Sequence, residues 1–323
     1  MHSEQLLEDG RGRIVALYDK KRQVAERLQD ELATDAQVFE DSQTLLTSAQ
    51  IDAAIVSSPP TVHFEQILAC RRQGLHVLCE QPLADKRDQI LTLIKQANQG
   101  DPVLSIAFQR RYWAVYRKLR QEVQSGRWGD VRAVNAHMMQ NWQETIAGTW
   151  RDDPNINVGG FIRDAGSHKI DTVFFVTGLL PTELSASTDF CGSCVEISAK
   201  IEAQLQGGVP LRMSFTGNAQ SCNEDLFVHC ADGILILRSG KLQIAAKNRI
   251  ETIDFNDTEA DLNGDSLPVV DSNPVSGFLD LLQKNGPNVA PPECALPVFD
   301  FTQAVTESSE CGEVVPISTT GIR

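Results

Sequence analysis

The sequence has no apolar run long enough to cross a membrane and no excess of basic residues. Its 29 lysines and arginines are outnumbered by 43 aspartates and glutamates, and the formal net charge is −14. A charge of this sign repels nucleic-acid phosphates and anionic lipids, so we predict no nucleic-acid and no membrane partner. The first residues lack the basic and then apolar pattern of a signal peptide, which favours a cytoplasmic location.

Cysteine is also sparse. Eight cysteines in 323 residues are too few for a disulfide scaffold, which has a denser set in a smaller domain. Cys191 and Cys194 have the spacing of half a zinc site, but the other half would be Cys222 and Cys230, whose separation does not match the usual pair. We therefore predict reduced thiols and no metal site.

Short apolar runs alternate with helical segments through the first third of the chain. The predicted strands cover 13–18, 51–56, 76–79 and 103–108. The helices between them are predicted over 20–32, 61–73 and 85–98. Crossovers of this length join parallel strands, so residues 1–108 are predicted to form a Rossmann-like, doubly wound parallel sheet. Ligands bind such a sheet at the carboxyl ends of its strands.

A dinucleotide-binding sheet begins with a strand and a Gly-x-Gly-x-x-Gly turn, and the chain has neither before Arg13. Residues 3–8 instead indicate the end of a helix that stops at Gly10. Since the first strand is central in this topology, its absence would leave the backbone groups of neighbouring strands unpaired. We therefore expect Met1 to be an internal methionine, preceded by about twenty residues that supply the strand and the turn.

Asp19 follows the first predicted strand, where an acidic residue can bind the adenosine ribose hydroxyls of a dinucleotide. It could equally cap the helix that begins at Lys20. Lys20, Lys21 and Arg22 could meet a 2′-phosphate or could form a solvated helix start. The choice between NAD and NADP therefore stays open.

Residues 109–323 are predicted to form a second domain. Apolar and polar residues alternate over 131–139, and the strand-like runs of 183–246 are separated by short glycine-containing turns, as is typical of antiparallel neighbours. Helices are predicted over 167–177, 274–284 and 299–308, and a polar loop over 254–273. We expect an α+β domain whose open, mostly antiparallel sheet has helices on one face. Such a sheet favours a homo-oligomer, a dimer or a tetramer.

Two motifs carry candidate chemistry. The stretch 79–82, Cys-Glu-Gln-Pro, ends a predicted strand, and a glycine pair at 159–160 precedes Asp164 and His168. Four residues apart on a helix, these two side chains share a face and could act together on one substrate hydroxyl. The alternatives are a structural histidine and an aspartate that caps the helix.

The order of these motifs resembles the Gfo/Idh/MocA oxidoreductase family, which includes glucose-fructose oxidoreductase and inositol dehydrogenase. The similar stretches are 58–63, 74–84, 125–131 and 159–171. The resemblance implies an NAD(P)-dependent enzyme that transfers hydride between nicotinamide and a hydroxyl-bearing or carbonyl carbon of a sugar, inositol or polyol. It implies that the catalytic residues are His168, Asp164 and Gln81. It further implies cofactor contacts from Asp19, Lys20, Ser57, Ser58, Pro59, His63, Glu80, Gln81, Pro82 and Arg110. Substrate contacts are expected from Gln81, Trp150, Arg151, Asp164 and His168, with core packing the alternative for Trp150.

The sequence departs from the family at Gln81, which stands where the family has a lysine. An amide can position a substrate oxygen but cannot exchange a proton, so the proton path would depend on His168, oriented by Asp164. Two other functions stay open on this ground. One is a cofactor-binding protein without turnover, and the other is a glycoside-processing enzyme that uses bound NAD.

Overall fold

The computed structural model describes residues 1–100, 102–238, 240–247, 249–254 and 272–318. The chain divides into two compact units. The first holds Met1–Ala107 together with Ser272–Pro292, and the second holds the chain from Phe108 onward apart from that segment. The sequence predicts domains 1–108 and 109–323, and this division differs from the compact units at Phe108 and in the segment 272–292. Most of the polar loop predicted over 254–273 lies outside the described residues.

Helices and parallel strands alternate in the first unit. Its helices are α1 (His2–Asp9), α2 (Arg22–Glu31), α3 (Ser42–Ser48), α4 (Pro60–Arg72) and α5 (Arg87–Ala97). Its strands are β1 (Ala16–Leu17), β2 (Gln37–Val38), β3 (Ala53–Val56), β4 (His76–Cys79) and β5 (Leu104–Ile106). The Rossmann-like parallel fold predicted from the alternating pattern is confirmed.

The parallel strands form two separate sheets. β1 pairs with β2, while β3, β4 and β5 form a three-stranded sheet, and within the described residues β1 and β3 do not pair with each other. A later helix, α10 (Pro274–Leu282), completes the core of this unit. Its Val275 and Phe278 pack with the buried Leu78 and Ala107.

The second unit is built on one large sheet. Its strands are β6 (Val131–Asn141), β7 (Pro181–Asp189), β8 (Ser198–Leu205), β9 (Val209–Thr216), β10 (Asn218–Cys230), β11 (Ile234–Arg238), β12 (Lys241–Ala246), β13 (Arg249–Asp254) and β14 (Val315–Pro316). Among the described residues their order is β13-β12-β11-β10-β6-β9-β8-β7-β14. Every neighbouring pair is antiparallel except β6 and β9. The mostly antiparallel sheet predicted from the short turns is confirmed.

Five helices complete the second unit as described. They are α6 (Ala114–Gln124), α7 (Trp142–Ile146), α8 (Gly160–Arg163), α9 (Ala165–Thr177) and α11 (Ala295–Cys311). α9 contacts α6 and α11, and all three pack on the sheet. Alternate residues of β10, such as Leu226 and Val228, are fully buried, which places one face of the strand in the core. In the described part of the chain no helix has both the length and the apolar character needed to span a membrane.

Candidate active site

A buried histidine joins the loops that follow β3 and β4. Ser57, Ser58 and Pro59 follow β3. The ring of His63, on α4, places Nδ1 2.9 Å from the Pro82 carbonyl oxygen and Nε2 2.6 Å from the Ser58 carbonyl oxygen. The side chain is fully buried and burial lowers its pKa, so the neutral ring donates to one carbonyl at a time. His63 therefore fixes the carboxyl-end loops, and its contact with a cofactor stays a prediction.

The loop after β4 carries the candidate Gln81. Its side chain is buried, and its peptide bond to Pro82 is cis. The Gln81 backbone N–H donates to Glu80 Oε2 at 3.2 Å, and Glu80 Oε1 lies 2.6 Å from Nε2 of His2 on α1. Burial alone would lower the pKa of His2, but the hydrogen bond and charge of Glu80 outweigh burial and raise it. Glu80 thus ties the loop to the first helix.

Asp19 lies in the loop between β1 and α2. Its Oδ1 accepts a hydrogen bond from the Lys21 backbone N–H at 2.7 Å, which forms a turn that leads into α2. The N-cap residue of α2 is Lys21, so the structure does not show Asp19 capping a helix that begins at Lys20. The side chain of Lys20 is exposed, and Arg22 pairs with Glu26 at 2.6 Å. A ribose contact from Asp19 and a phosphate contact from Lys20 stay predictions.

In the second unit a glycine pair starts α8. Gly159 and Gly160 both have positive φ, of 87° and 50°. A Cβ on Gly160 would lie 2.2 Å from the backbone oxygen of Glu196, so no other residue fits this position. The close approach lets the Phe161 backbone N–H donate to the same oxygen at 2.8 Å. The glycines therefore set the direction in which the chain enters the motif.

Asp164 lies at the junction of α8 and α9 and is buried. Its Oδ2 accepts hydrogen bonds from Arg151 Nε at 2.8 Å and from Trp142 Nε1 at 3.3 Å. The Arg151 guanidinium also stacks on the Trp150 ring, 4.3 Å from its centroid. These contacts hold Asp164 as an oriented carboxylate and bring three predicted site residues together.

His168 lies on α9, four residues after Asp164, and is half-buried. The Phe108 ring meets the imidazole edge-on, with centroids 6.2 Å apart. Asp164 occupies the N-cap position of α9 with non-helical backbone angles, so the fixed carboxylate directly precedes the helix that carries His168. Joint action of the two side chains on one substrate hydroxyl stays a prediction. Gln81 belongs to the first unit, whereas these two residues belong to the second.

The structure adds two residues that the sequence analysis did not select, Lys169 and Glu224. Lys169 follows His168, is buried, and pairs with Glu224 of β10 at 2.9 Å. Arg110, in the 3-10 helix Gln109–Tyr112, pairs with the same carboxylate. The sequence could have indicated Lys169, because it stands among the apolar residues of α9 and buried lysines are rare without a partner. The cofactor contact of Arg110 stays a prediction, and its side chain is buried within the second unit.

Two family models match the chain. Residues 1–108 match the model described as oxidoreductase family, NAD-binding Rossmann fold, and residues 116–236 match the GFO/IDH/MocA C-terminal domain.

The sequence identity to individual relatives is low. The 1,5-anhydro-D-fructose reductase of Ensifer adhaerens is 25% identical over 86% of this chain and 83% of its own length. The D-glucoside 3-dehydrogenase of Escherichia coli is 27% identical over 51% of this chain and 46% of its own length. Two further curated relatives are covered over 53% and 42% of their length, so the chain spans about half of the first curated relatives that it matches. A levoglucosan dehydrogenase in complex with NADH and levoglucosan superposes with a TM-score of 0.82 at 17% identity, over 98% of this chain and 95% of that one.

Proposed function

Since the chain belongs to the Gfo/Idh/MocA oxidoreductase family, we propose that it is an NAD(P)-dependent dehydrogenase or reductase acting on a sugar, inositol or related polyol. The observation that carries the proposal is the pair at the start of α9, a buried carboxylate held by Arg151 one turn before the half-buried His168. The named activities of the relatives, on glucosides and an anhydro sugar, support the substrate class.

In the proposed reaction, an imidazole nitrogen of His168 takes the hydroxyl proton as the carbon is oxidised and returns it during reduction. Asp164 accepts a hydrogen bond from the reacting substrate and orients the histidine, while Arg151 fixes the carboxylate. Trp150 offers a ring face to the sugar beside that arginine. The nicotinamide, when bound, supplies the hydride acceptor or donor. Gln81 positions the substrate oxygen without exchanging a proton.

The first unit fits part of a dinucleotide. The Asp19 carboxylate is half-exposed after β1 and suits the ribose hydroxyls, and the loops 57–59 and 80–82 lie at carboxyl ends of parallel strands, where nucleotides bind. The described residues contain no strand followed by a Gly-x-Gly-x-x-Gly turn, the feature that binds the pyrophosphate. We therefore assign the ribose to Asp19 and the nicotinamide to the two loops, with no residue assigned to the pyrophosphate.

If Asp19 binds the ribose hydroxyls, the wild-type protein prefers NADH, and Asp19→Ala weakens NADH binding by about 10- to 100-fold and NADPH binding less. The loss corresponds to one or two hydrogen bonds to a charged group. Titration of both reduced cofactors by their fluorescence measures it. Asp30→Ala, which removes an exposed acid of the same helix region, is the control. Equal weakening of both cofactors, or a wild-type preference for NADPH, would contradict the ribose contact and leave Asp19 only its turn hydrogen bond to Lys21.

The proposed function is tested by following nicotinamide absorbance with a panel of sugars, inositols and 1,5-anhydro sugars in both reaction directions. Turnover of at least one neutral sugar, sugar acid or polyol with NAD(H) or NADP(H) is expected. Saturable cofactor binding without turnover of any member would contradict the proposal. That result would favour the second candidate, a cofactor-binding protein that has lost turnover, for which the amide at Gln81 is the specific observation.

A further inference from the structure

A buried cluster of charged residues lies next to the candidate acid/base. Lys169 and Arg110 are almost wholly buried, with 1% and 4% of their surface exposed, and both pair with the Glu224 carboxylate. Lys169 directly follows His168 in the chain, and the charge of Glu224 also acts on His168, so the cluster lies close to the candidate chemistry. All four residues belong to the second unit.

The cluster has more donors than acceptors. Arg110 uses Nη2 for Glu224, while its buried Nε and Nη1 have no hydrogen-bond partner among the described residues. The ammonium of Lys169 contacts Glu224 and has no further acceptor in the same part of the chain. The hydroxyl of Tyr116, 3.5 Å from Glu224 Oε2, also depends on that carboxylate. Buried donors without partners cost free energy, so the cluster lacks an acceptor.

The charges of the cluster do not balance. Two cations face one carboxylate, which leaves a net charge of +1 in a buried place. The neighbouring Asp225 also acts on Lys169, but Arg238 pairs with it at 3.0 Å, so counting both leaves the net charge at +1. A buried charge without a counter-charge is unfavourable, and a single negative charge would neutralise this one.

We propose that Arg110 and Lys169 bind a carboxylate of the substrate, so that the preferred substrate is a sugar acid such as a uronate. This inference rests on the proposed function and narrows its substrate class. A carboxylate has the single charge that neutralises the cluster and acceptor oxygens for its free donors. A phosphate would bring close to two negative charges and leave an excess of one, so a phosphosugar fits less well. Arg110 then contacts substrate rather than cofactor.

The proposal is tested first by direct binding. D-glucuronate, D-galacturonate, D-glucose and D-galactose are titrated calorimetrically into the protein saturated with NADH, with acetate as a small free anion. Each uronate is expected to bind at least about tenfold more tightly than its neutral parent, the effect of roughly one hydrogen bond to a charged group. Acetate, which lacks the ring, is expected to bind far more weakly. If acetate matches the uronates, the cluster is an anion site unrelated to the substrate and the proposal fails.

Two substitutions are expected to change uronate affinity in opposite directions. Lys169→Met keeps the length of the side chain and removes the charge, and is expected to weaken uronate binding by about 10- to 100-fold while neutral sugars change by less than about twofold. Glu224→Gln removes the internal competitor for both cations and is expected to strengthen uronate binding. Arg212→Gln, which removes a cation from an exposed pair with Glu202, is the matched control and is expected to change neither.

The outcomes separate this inference from the proposed function. Selective uronate binding without turnover of any sugar would support the carboxylate site and contradict the proposed dehydrogenase activity. Turnover of neutral sugars, with uronates bound no more tightly than the corresponding neutral sugars, would contradict the carboxylate site and leave the proposed dehydrogenase activity supported. Circular dichroism checks that each variant folds. If Lys169→Met does not fold, the test rests on Glu224→Gln. Uronate binding by Glu224→Gln that is unchanged or weaker than that of wild type would then overturn the proposal.

Discussion

His168→Ala is expected to lower kcat by at least about 100-fold, because it removes the group assigned to exchange the hydroxyl proton. Cofactor binding is expected to stay within about twofold of wild type, since His168 lies in the second unit and the Rossmann fold is the first. The measurement is nicotinamide absorbance during turnover of the best substrate in the panel, with cofactor affinity titrated separately. A loss of less than about tenfold in kcat would assign the proton to another group.

Gln81→Lys tests whether residue 81 takes part in proton transfer. It restores a titratable group at the position where the sequence departs from the family, so kcat is expected to be preserved or raised. Gln81→Ala is expected to cost less than His168→Ala, because an amide only positions the oxygen. Equal losses in Gln81→Ala and His168→Ala would show that positioning outweighs proton transfer and that the assigned roles are wrong.

Asp171→Asn is expected to lower the free energy of unfolding of the second unit by about 3–5 kcal/mol. Asp171 ends the motif that carries Asp164 and His168, but its role is structural. Its two oxygens accept hydrogen bonds from Arg111 at 2.8 and 2.7 Å, and only 1% of its surface is exposed. The asparagine would leave the Arg111 guanidinium, which packs 4.9 Å from the Phe175 ring centroid, as a buried charge without its counter-ion.

Urea unfolding followed by tryptophan fluorescence measures this loss, since all four tryptophans lie in the second unit. Asp130→Asn is the control. Its carboxylate is 89% exposed and lies 4.0 Å from Arg132, so the change is expected to stay within about 0.5 kcal/mol. An Asp171→Asn loss of about 1 kcal/mol or less would mean that the pair contributes little to stability.

Much of the fold could be predicted from local sequence patterns. The helix predicted over 61–73 is observed at Pro60–Arg72, and the one predicted over 85–98 at Arg87–Ala97. Both sequences combine an apolar face with flanking turn signals, which are local properties. The strand predicted over 13–18 has only Ala16–Leu17 in ladder geometry, because within the described residues β1 pairs with one neighbour alone.

The candidate site was predicted less completely than the fold. Asp164 and His168 are four residues apart in the sequence, but Asp164 is the N-cap residue of α9 and has non-helical backbone angles, which the spacing alone does not show. The substrate contact of Arg151 stays a prediction, and the sequence did not indicate that its Nε donates to Asp164, thirteen residues away. The pairing of Arg110 with Glu224 joins positions 114 residues apart, and no local pattern specifies which buried cation meets which carboxylate. Such contacts depend on how strands and helices pack.

The return of α10 to the first unit has a consequence for synthesis of the protein on the ribosome. The apolar surface formed by Leu78 and Ala107 is covered by Val275 and Phe278, which are translated about 170 residues later. At ordinary elongation rates the delay is on the order of 10 to 35 s. During that time the nascent first unit displays an uncovered apolar patch, the kind of surface that chaperones bind and that drives aggregation when they do not.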